Sequence, residues 1–248
     1  IVLTDVTELE EYRLQLEAKN KELESFTGMV SHDLRNPLNV AQGNSEIIAE
    51  LLEASKNKDG SYDPLDNVTI ATIGDASQTL TRTLTRMERL IDDLLVLARE
   101  GQSIDEPESV SLTMFAQNCW AMVEQHEATL IIGDELNFVA DPERLQQLLE
   151  NLFRNAIEHG GEDVTIRVGA LTDDNGFYIE DNGPGIPKEN RGLVFESGYT
   201  TNRGGTGFGL KIVNEIVEAH GWTIVIVESD SGGARFEITT KWAEVSES

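Results

Sequence analysis

A histidine and an aspartate stand side by side in VSHDLRNPL, residues 30–38, with Asn36 four places and Pro37 five places beyond the histidine. Neutral imidazole is a good nucleophile near neutral pH, since its unperturbed pKa is about 6.5. A carboxylate that accepts a hydrogen bond from one ring nitrogen makes the other more nucleophilic and stabilises the cation formed on attack. His32 and Asp33 are candidates for that pair. Adjacent helical residues do not face each other, so Asp33 must reach around the helix. Pro37 lacks the donor for the carbonyl of residue 33 and its ring clashes with that carbonyl, so a break or bend is expected at this turn. The bland alternative for His32 is an exposed helical histidine.

Three later stretches carry polar groups suited to a phosphate ligand. In RLQQLLENLFRNAIEHG, the apolar Leu145, Leu148, Leu149, Leu152 and Ala156 share one helical face, while Asn151, Asn155 and His159 follow at steps of four on another. Amide oxygens are hard, neutral ligands of the kind Mg²⁺ accepts when phosphates complete its shell. YIEDNGPGI ends an expected strand at Asp181, and a carboxylate there can accept from the exocyclic amine of adenine. Gly183 and Gly185 let backbone approach a flat ligand. In NRGGTGFGLKIV, four glycines lead straight into a helix, whose first amides form an anion site. Leu210 and Lys211 after Gly209 exclude both a Walker loop and a dinucleotide fingerprint. From Pro187 to Lys211, four basic residues (Lys188, Arg191, Arg203, Lys211) face two acidic ones (Glu189, Glu196), a local net of +2. That patch sits in a chain of net charge −26 and would attract a triphosphate.

Several elements must position these groups. Leu9, Leu16, Leu23 and Val30 recur every seven residues, with Tyr12 and Phe26 three further on, the seam of a coiled coil. A helix is therefore expected to run to about Leu52. Leu80, Leu84, Met87, Ile91, Leu94 and Ala98 form a second stripe, and Gly60 and Pro64 break the stretch between. Two such helices form a hairpin whose uncovered stripe a second copy would bury in a four-helix bundle. Packing against the chain's own second domain is the alternative. Residues 1–6, IVLTDV, read as a short strand. EGQSIDEPES, after Arg99, reads as a linker. Beyond it come a helix from Leu112, strands at 129–132 and 137–140, and a helix at 142–159. Strands at 163–169 and 176–181, a helix at about 208–219 and two final strands follow. Together they suggest an α/β sandwich with helices on one face of a mixed sheet.

The composition of the 248 residues narrows the class. With 45 acidic and 19 basic residues, a nucleic-acid partner is excluded, because phosphate would be repelled. Cys119, the single cysteine, rules out an internal disulfide and a cysteine-rich metal site, which fits a reducing cytoplasm. No apolar run reaches the roughly 18 residues of a membrane span, so no membrane contact is expected within this segment. A chain starting at Ile1 is expected to be an excerpt. The acidic, lysine-poor surface resembles that of proteins from salt-loving archaea, where molar salt shortens the screening length to about 3 Å.

Taken in order, VSHDLRNPL, NLFRNAIEHG, DNGPGI, VFESGYTT and GGTGFGL resemble the phosphoacceptor box and the four nucleotide boxes of histidine kinases. The resemblance covers about residues 20 to 240. It implies a dimeric helical hairpin followed by a sandwich of the histidine kinase, gyrase and chaperone ATPase type, with ATP and Mg²⁺ as cofactors. By it, His32 is phosphorylated, Asp33 assists, and Asn36 orients a water for phosphatase activity. Asn155 binds Mg²⁺, Asn151 and His159 line the nucleotide site, and Asp181 contacts the adenine amine in a pocket shaped by Gly183 and Gly185. Gly205, Thr206, Gly207, Gly209 and Leu210 belong to the phosphate-holding lid, latched by Phe195. Where several family members carry a basic residue near Glu158, this chain does not, and Lys188 or Arg203 would substitute. The implied partners are a second copy through the hairpin, the receiver domain of a response regulator, and an upstream sensor. Residues 1–25 resemble the exit of a PAS sensor into a signalling helix. Residues 26–100 are then the dimerisation and phosphotransfer domain, 101–108 a linker and 109–248 the ATP-binding domain. The competing readings are a conformational ATPase of the related group and a scaffold that binds nucleotide without transfer.

Overall fold

The computed structural model describes residues 2–58, 60–97, 107–123, 125, 127–161, 163–172, 175–196, 198–200 and 206–240. The chain divides into two compact units, Ile1–Asp92 and Asp93–Ser248. Of the expected linker at 101–108, residues 101–106 lie outside the described residues and Glu108 already belongs to a strand.

The first unit is a helical hairpin. Helix α1 spans Val2–Ala54 and α2 spans Asn67–Leu97. The expected strand at 1–6 is instead the start of α1 from Val2 onward. A lone short strand would leave its backbone groups unpaired, whereas a helix satisfies them within itself. Nor does Pro37 end the helix: it lies inside α1 and is buried. A mid-helix proline costs about 3 kcal/mol, which burial of its ring and the intact turns on either side offset.

Pro37 and Ala41, one turn apart, are buried on α1, and Ala76 and Leu90 are buried on α2. The expected α2 stripe is only partly covered in one copy of the chain. Leu84 is 50% and Ile91 46% exposed in the single chain, while Leu80, Met87 and Leu94 are half-buried. Tyr12 and Leu16 of the coiled-coil seam are exposed too. The side chains of Leu9, Leu23, Phe26 and Ala98 lie outside the described residues. The connection is held by Asn57 Nδ2, which donates to Asp63 Oδ1 at 3.0 Å, and by Asp66, which caps α2 by accepting from the Thr69 amide at 2.7 Å. Those bonds with Thr69 hold the exposed Asp66 carboxyl below its usual pKa.

The second unit is a sheet covered by three helices. Its strands are β1 (Glu108–Ser111), β2 (Thr129–Ile132), β3 (Asn137–Ala140), β4 (Thr165–Ala170), β5 (Gly176–Asp181), β6 (Thr223–Glu228) and β7 (Ala234–Thr239). Its helices are α3 (Leu112–Met122), α4 (Pro142–Gly160) and α5 (Gly209–Ala219). The main sheet runs β2-β4-β5-β7-β6, parallel between β2 and β4 and antiparallel elsewhere. Strand β1, missed in the sequence, pairs antiparallel with β3 in a separate two-stranded ladder.

The helices start where their caps dictate. Ser111 Oγ accepts from the Met114 amide at 3.3 Å to open α3, and Asp141 Oδ1 accepts from the Arg144 amide at 3.2 Å to open α4, with Pro142 in its first turn. The apolar face of α4 (Leu145, Leu148, Leu149, Leu152, Phe153) is buried, as are Ile212, Val213, Ile216 and Val217 of α5. The sheet contributes Ile166, Val168, Phe177, Ile179, Phe236 and Ile238. Each fully buried aliphatic side chain contributes about 1.5–3 kcal/mol. This core fixes α4 and α5 against the sheet, and with them their polar faces. Cys119 is buried, and burial pushes its thiol up to about 12, so it is an inert core residue.

Candidate functional site

On α1 the imidazole of His32 projects into solvent, with its side chain 71% exposed. Asp33 reaches back to it: Asp33 Oδ1 lies 3.0 Å from His32 Nδ1. With the carboxylate accepting in this bond, the proton lies on Nδ1 and the lone pair on Nε2. The Asn36 amide, one turn on, sets its Nδ2 3.4 Å from both ring nitrogens, beside the ring and on the axis of neither lone pair. Pro37 turns to the buried side of α1 while His32 and Asn36 stay exposed. The three catalytic candidates therefore form one cluster.

In the second unit, Asp181 closes β5. Its Oδ1 accepts from the Gly183 amide at 2.8 Å and the Ala234 amide at 3.1 Å. Burial pushes its carboxyl above the usual range, against those two hydrogen bonds; Glu180 adds to the rise and His159 opposes it. The His159 side chain thus acts on Asp181 from the last turn of α4. Gly183 backs onto the same turn, where a Cβ would lie 2.6 Å from Gly160 Cα. Gly185 sits beside the turn between β6 and β7, 2.9 Å from Gly232 O by the same measure.

Asn155 is half-buried, and its amide makes no hydrogen bond among the described residues. Its oxygen therefore retains the capacity to ligate a cation. Asn151 differs. It is 6% exposed, its Nδ2 donates to Gln147 O at 2.9 Å, and its Oδ1 packs against Gly209, where a Cβ would stand 3.1 Å away. Asn151 joins α4 to the first turn of α5.

Helix α5 begins at Gly209 with no side-chain cap, unlike α3 and α4. Its first amides, with Leu210 among them, retain their capacity for an anion. Gly207 holds φ +71° beside Gly198, whose amide donates to Gly207 O at 3.0 Å. Thr206 Oγ1 accepts from the Phe208 amide at 3.4 Å. Phe195 is half-buried in the short 3-10 turn Leu193–Phe195.

The basic patch is thinner than its count suggests. Arg191 donates to the carbonyls of Ile186 and Ile226, and Lys211 pairs with Glu215 at 2.6 Å. Lys188 is exposed; Arg203 and Gly205 lie outside the described residues. Sequence reasoning missed Ser229 and Gly233, which embrace Asp181 from the β6–β7 turn.

An exposed imidazole paired with a carboxylate on a hairpin, and an asparagine, an aspartate and an open helix terminus in a separate sandwich, are groups that suit a phosphoacceptor helix and a nucleotide-binding domain. Residues 22–103 match the His Kinase A (phospho-acceptor) domain, and residues 140–244 match the histidine kinase-, DNA gyrase B- and HSP90-like ATPase family. The adaptive-response sensory kinase SasA of Nostoc sp. is 32% identical over 228 residues, covering 85% of this chain and 55% of that protein. The sensor histidine kinase ZraS of Escherichia coli O157:H7 is 32% identical over 245 residues, covering 94% and 49%. The solved structure of the Acinetobacter baumannii histidine kinase AdeS shares the fold, with TM-score 0.56, 21% identity, and coverage of 86% of this chain and 98% of that one. The chain belongs to the sensor histidine kinases and comprises their catalytic core. It spans about half the length of the curated relatives it matches. No helix of the described residues is long and apolar enough to cross a membrane.

Proposed function

We propose that this chain uses Mg·ATP to phosphorylate His32 and passes the phosphoryl group to an aspartate on the receiver domain of a response regulator. The observation that carries it is the exposed His32 ring, with Nδ1 3.0 Å from Asp33 Oδ1, which leaves the Nε2 lone pair for attack. Nε2 attacks the γ-phosphorus, an N–P bond forms, and the bond to the bridging oxygen of the leaving ADP breaks. The Nδ1 proton stays shared with Asp33, which offsets the charge gained by the ring.

The residues of the second unit fit a nucleotide. Asn155 offers an unengaged amide oxygen for Mg²⁺, which would neutralise phosphate charge. Asp181 offers Oδ2 to the adenine amine, and His159 and Asn151 line α4 beside it. Gly183 and Gly185 keep that pocket open. The α5 terminus with Thr206, Gly207, Gly209 and Leu210 receives phosphate, joined by Gly205. Lys188 or Arg203 supplies the basic contact and Phe195 latches the lid. Asn36 orients a water for removal of phosphate from the receiver.

Residues 26–100 act as the dimerisation and phosphotransfer domain, 101–108 as the linker, and 109–248 as the ATP-binding domain. A second copy covers the exposed Leu84 and Ile91. A PAS-like sensor signals through residues 1–25 and the coiled coil, in a cytoplasmic location. The test is incubation with γ-labelled ATP and Mg²⁺ at high salt. Acid-labile, base-stable label on the wild type and none on His32→Gln is expected. Label retained by His32→Gln refutes the assignment.

A further inference from the structure

A serine hydroxyl helps to bolt the turn between β6 and β7 to the end of β5. Ser229 is 5% exposed. Its Oγ donates to the main-chain oxygen of Asp181 at 2.8 Å and accepts from the Gly233 amide at 2.9 Å. Two further main-chain bonds close the turn: Ser229 N to Gly233 O and Gly232 N to Ser229 O, both 2.9 Å. Gly233 lies so close to Asp181 that a Cβ there would stand 2.5 Å from Oδ1 and overlap the main-chain oxygen. Directly after the turn, the Ala234 amide takes Oδ1 from one side while the Gly183 amide takes it from the other.

The outcome is an asymmetric carboxylate. Oδ1 is held by two backbone amides from different segments, and Oδ2 has no partner among the described residues. A carboxylate fixed in this way can offer a ligand one oxygen in one direction. Without the Ser229 hydroxyl, the part-buried Asp181 carbonyl and the buried Gly233 amide lose their shared partner. The turn then gains freedom to retreat and take the Ala234 amide with it. The carboxylate is left with the Gly183 amide as its one firm anchor and can turn about it.

Orientation matters because purines differ in what they present. A 6-amino purine offers an amine donor at position 6 and an acceptor at position 1. A 6-oxo purine offers an acceptor at 6 and a donor at 1. A fixed oxygen aimed at position 6 accepts from the first and is repelled by the second, whereas a rotating one can swing to the donor at position 1. We infer that Ser229 is a positioning residue for base selection, locking Asp181 so that Oδ2 alone meets the base and the 6-amino purine is preferred over the 6-oxo purine. This inference rests on the adenine role proposed for Asp181.

The test is calorimetric binding of ATP and inosine triphosphate to the 248-residue chain, as wild type, Ser229→Ala, Ser229→Thr and Asp181→Asn. In Ser229→Ala the ATP affinity falls about tenfold and the inosine nucleotide is held at least as well, so the preference ratio drops tenfold or more. Autophosphorylation shows a raised KM for ATP with kcat within about threefold. Ser229→Thr, which keeps the hydroxyl, restores the ratio. Equal weakening of both nucleotides marks a purely structural serine and overturns the inference. Ser229→Cys fills the same space with a weak hydrogen-bonding group. It gives the same direction at reduced size and decides the matter if the alanine variant does not fold. If Asp181→Asn keeps the wild-type ratio, the adenine reading itself fails. If Asp181→Asn loses the ratio and Ser229→Ala keeps it, only the inference about Ser229 fails.

Discussion

Replacing Asp33 by alanine separates a charge effect at the surface from one in a sealed triad. The imidazole acquires positive charge as Nε2 bonds to phosphorus, so the carboxylate stabilises the transition state by attraction. Two unit charges about 4 Å apart interact by about 1 kcal/mol in water and about 4 kcal/mol at an effective dielectric of 20. The side chains here are 71% and 32% exposed, so the pair lies toward the watery limit and solvent screening trims it further. An expected loss of about 1–2 kcal/mol corresponds to roughly a 5- to 30-fold slower phosphorylation. A buried triad carboxylate contributes about 10⁴-fold, which this exposed geometry cannot supply. The assay is the initial rate of acid-labile label on His32 at saturating ATP, with ATP affinity measured in parallel. A rate within twofold of wild type refutes the role of Asp33. A loss beyond about 10³-fold at unchanged ATP affinity refutes the argument from exposure.

Gly207→Ala places a Cβ 2.8 Å from Gly198 at φ +71°; left-handed backbone alone costs about 1–2 kcal/mol, so a melting temperature lowered by several degrees and weakened nucleotide binding are expected from thermal unfolding and titration calorimetry. His220 Nε2 accepts from the Asp141 amide at 3.0 Å while its Nδ1 donates to Ile216 O at 2.8 Å, and burial holds the ring below its ordinary pKa, against the bond to Ile216. Its contribution to stability is therefore present above the unfolded value of 6.5 and lost as pH falls through the lower folded value; His220→Gln should flatten the melting-temperature profile across that acid window, and an unchanged profile counts against the link between α4 and α5. With a net charge of −26, the chain should melt at higher temperature as KCl is raised toward molar concentrations, since the screening length shrinks to about 3 Å; a melting temperature indifferent to salt excludes the salt-adapted reading.

The fold was legible where side-chain period reports packing directly. Leu145, Leu148, Leu149 and Leu152 lie on one side of α4 in the sequence pattern and are all buried in the structure, because a 3.6-residue repeat can cover a sheet in only one way. β-Branched composition misled at residues 2–6, since strand propensity means little without a partner strand. The α2 stripe was legible as apolar but not as inward or outward. Leu84 and Leu90 look alike in sequence, yet one is 50% and the other 3% exposed, and only the position of the neighbouring helix decides between them.

The site divides along the same line. Local spacing placed His32, Asp33 and Asn36 within one turn of each other, and the structure brings them together. Local spacing also put Asn151 and Asn155 on one face but could not tell that Asn151 is engaged in its own helix while Asn155 is unengaged. Nor could it tell that the Asn151 oxygen packs against Gly209, 58 residues further on. The partner of Asp181 was further out of reach: Ser229 is 48 residues away and sits in a string that reads as an ordinary turn. A hydrogen bond between two strand ends exists only after β5, β7 and β6 have been laid side by side. Sequence motifs therefore name the groups that touch a ligand more readily than the groups that aim them. The aiming groups are supplied by sheet order, and here they are a serine hydroxyl and a glycine without room for a methyl group.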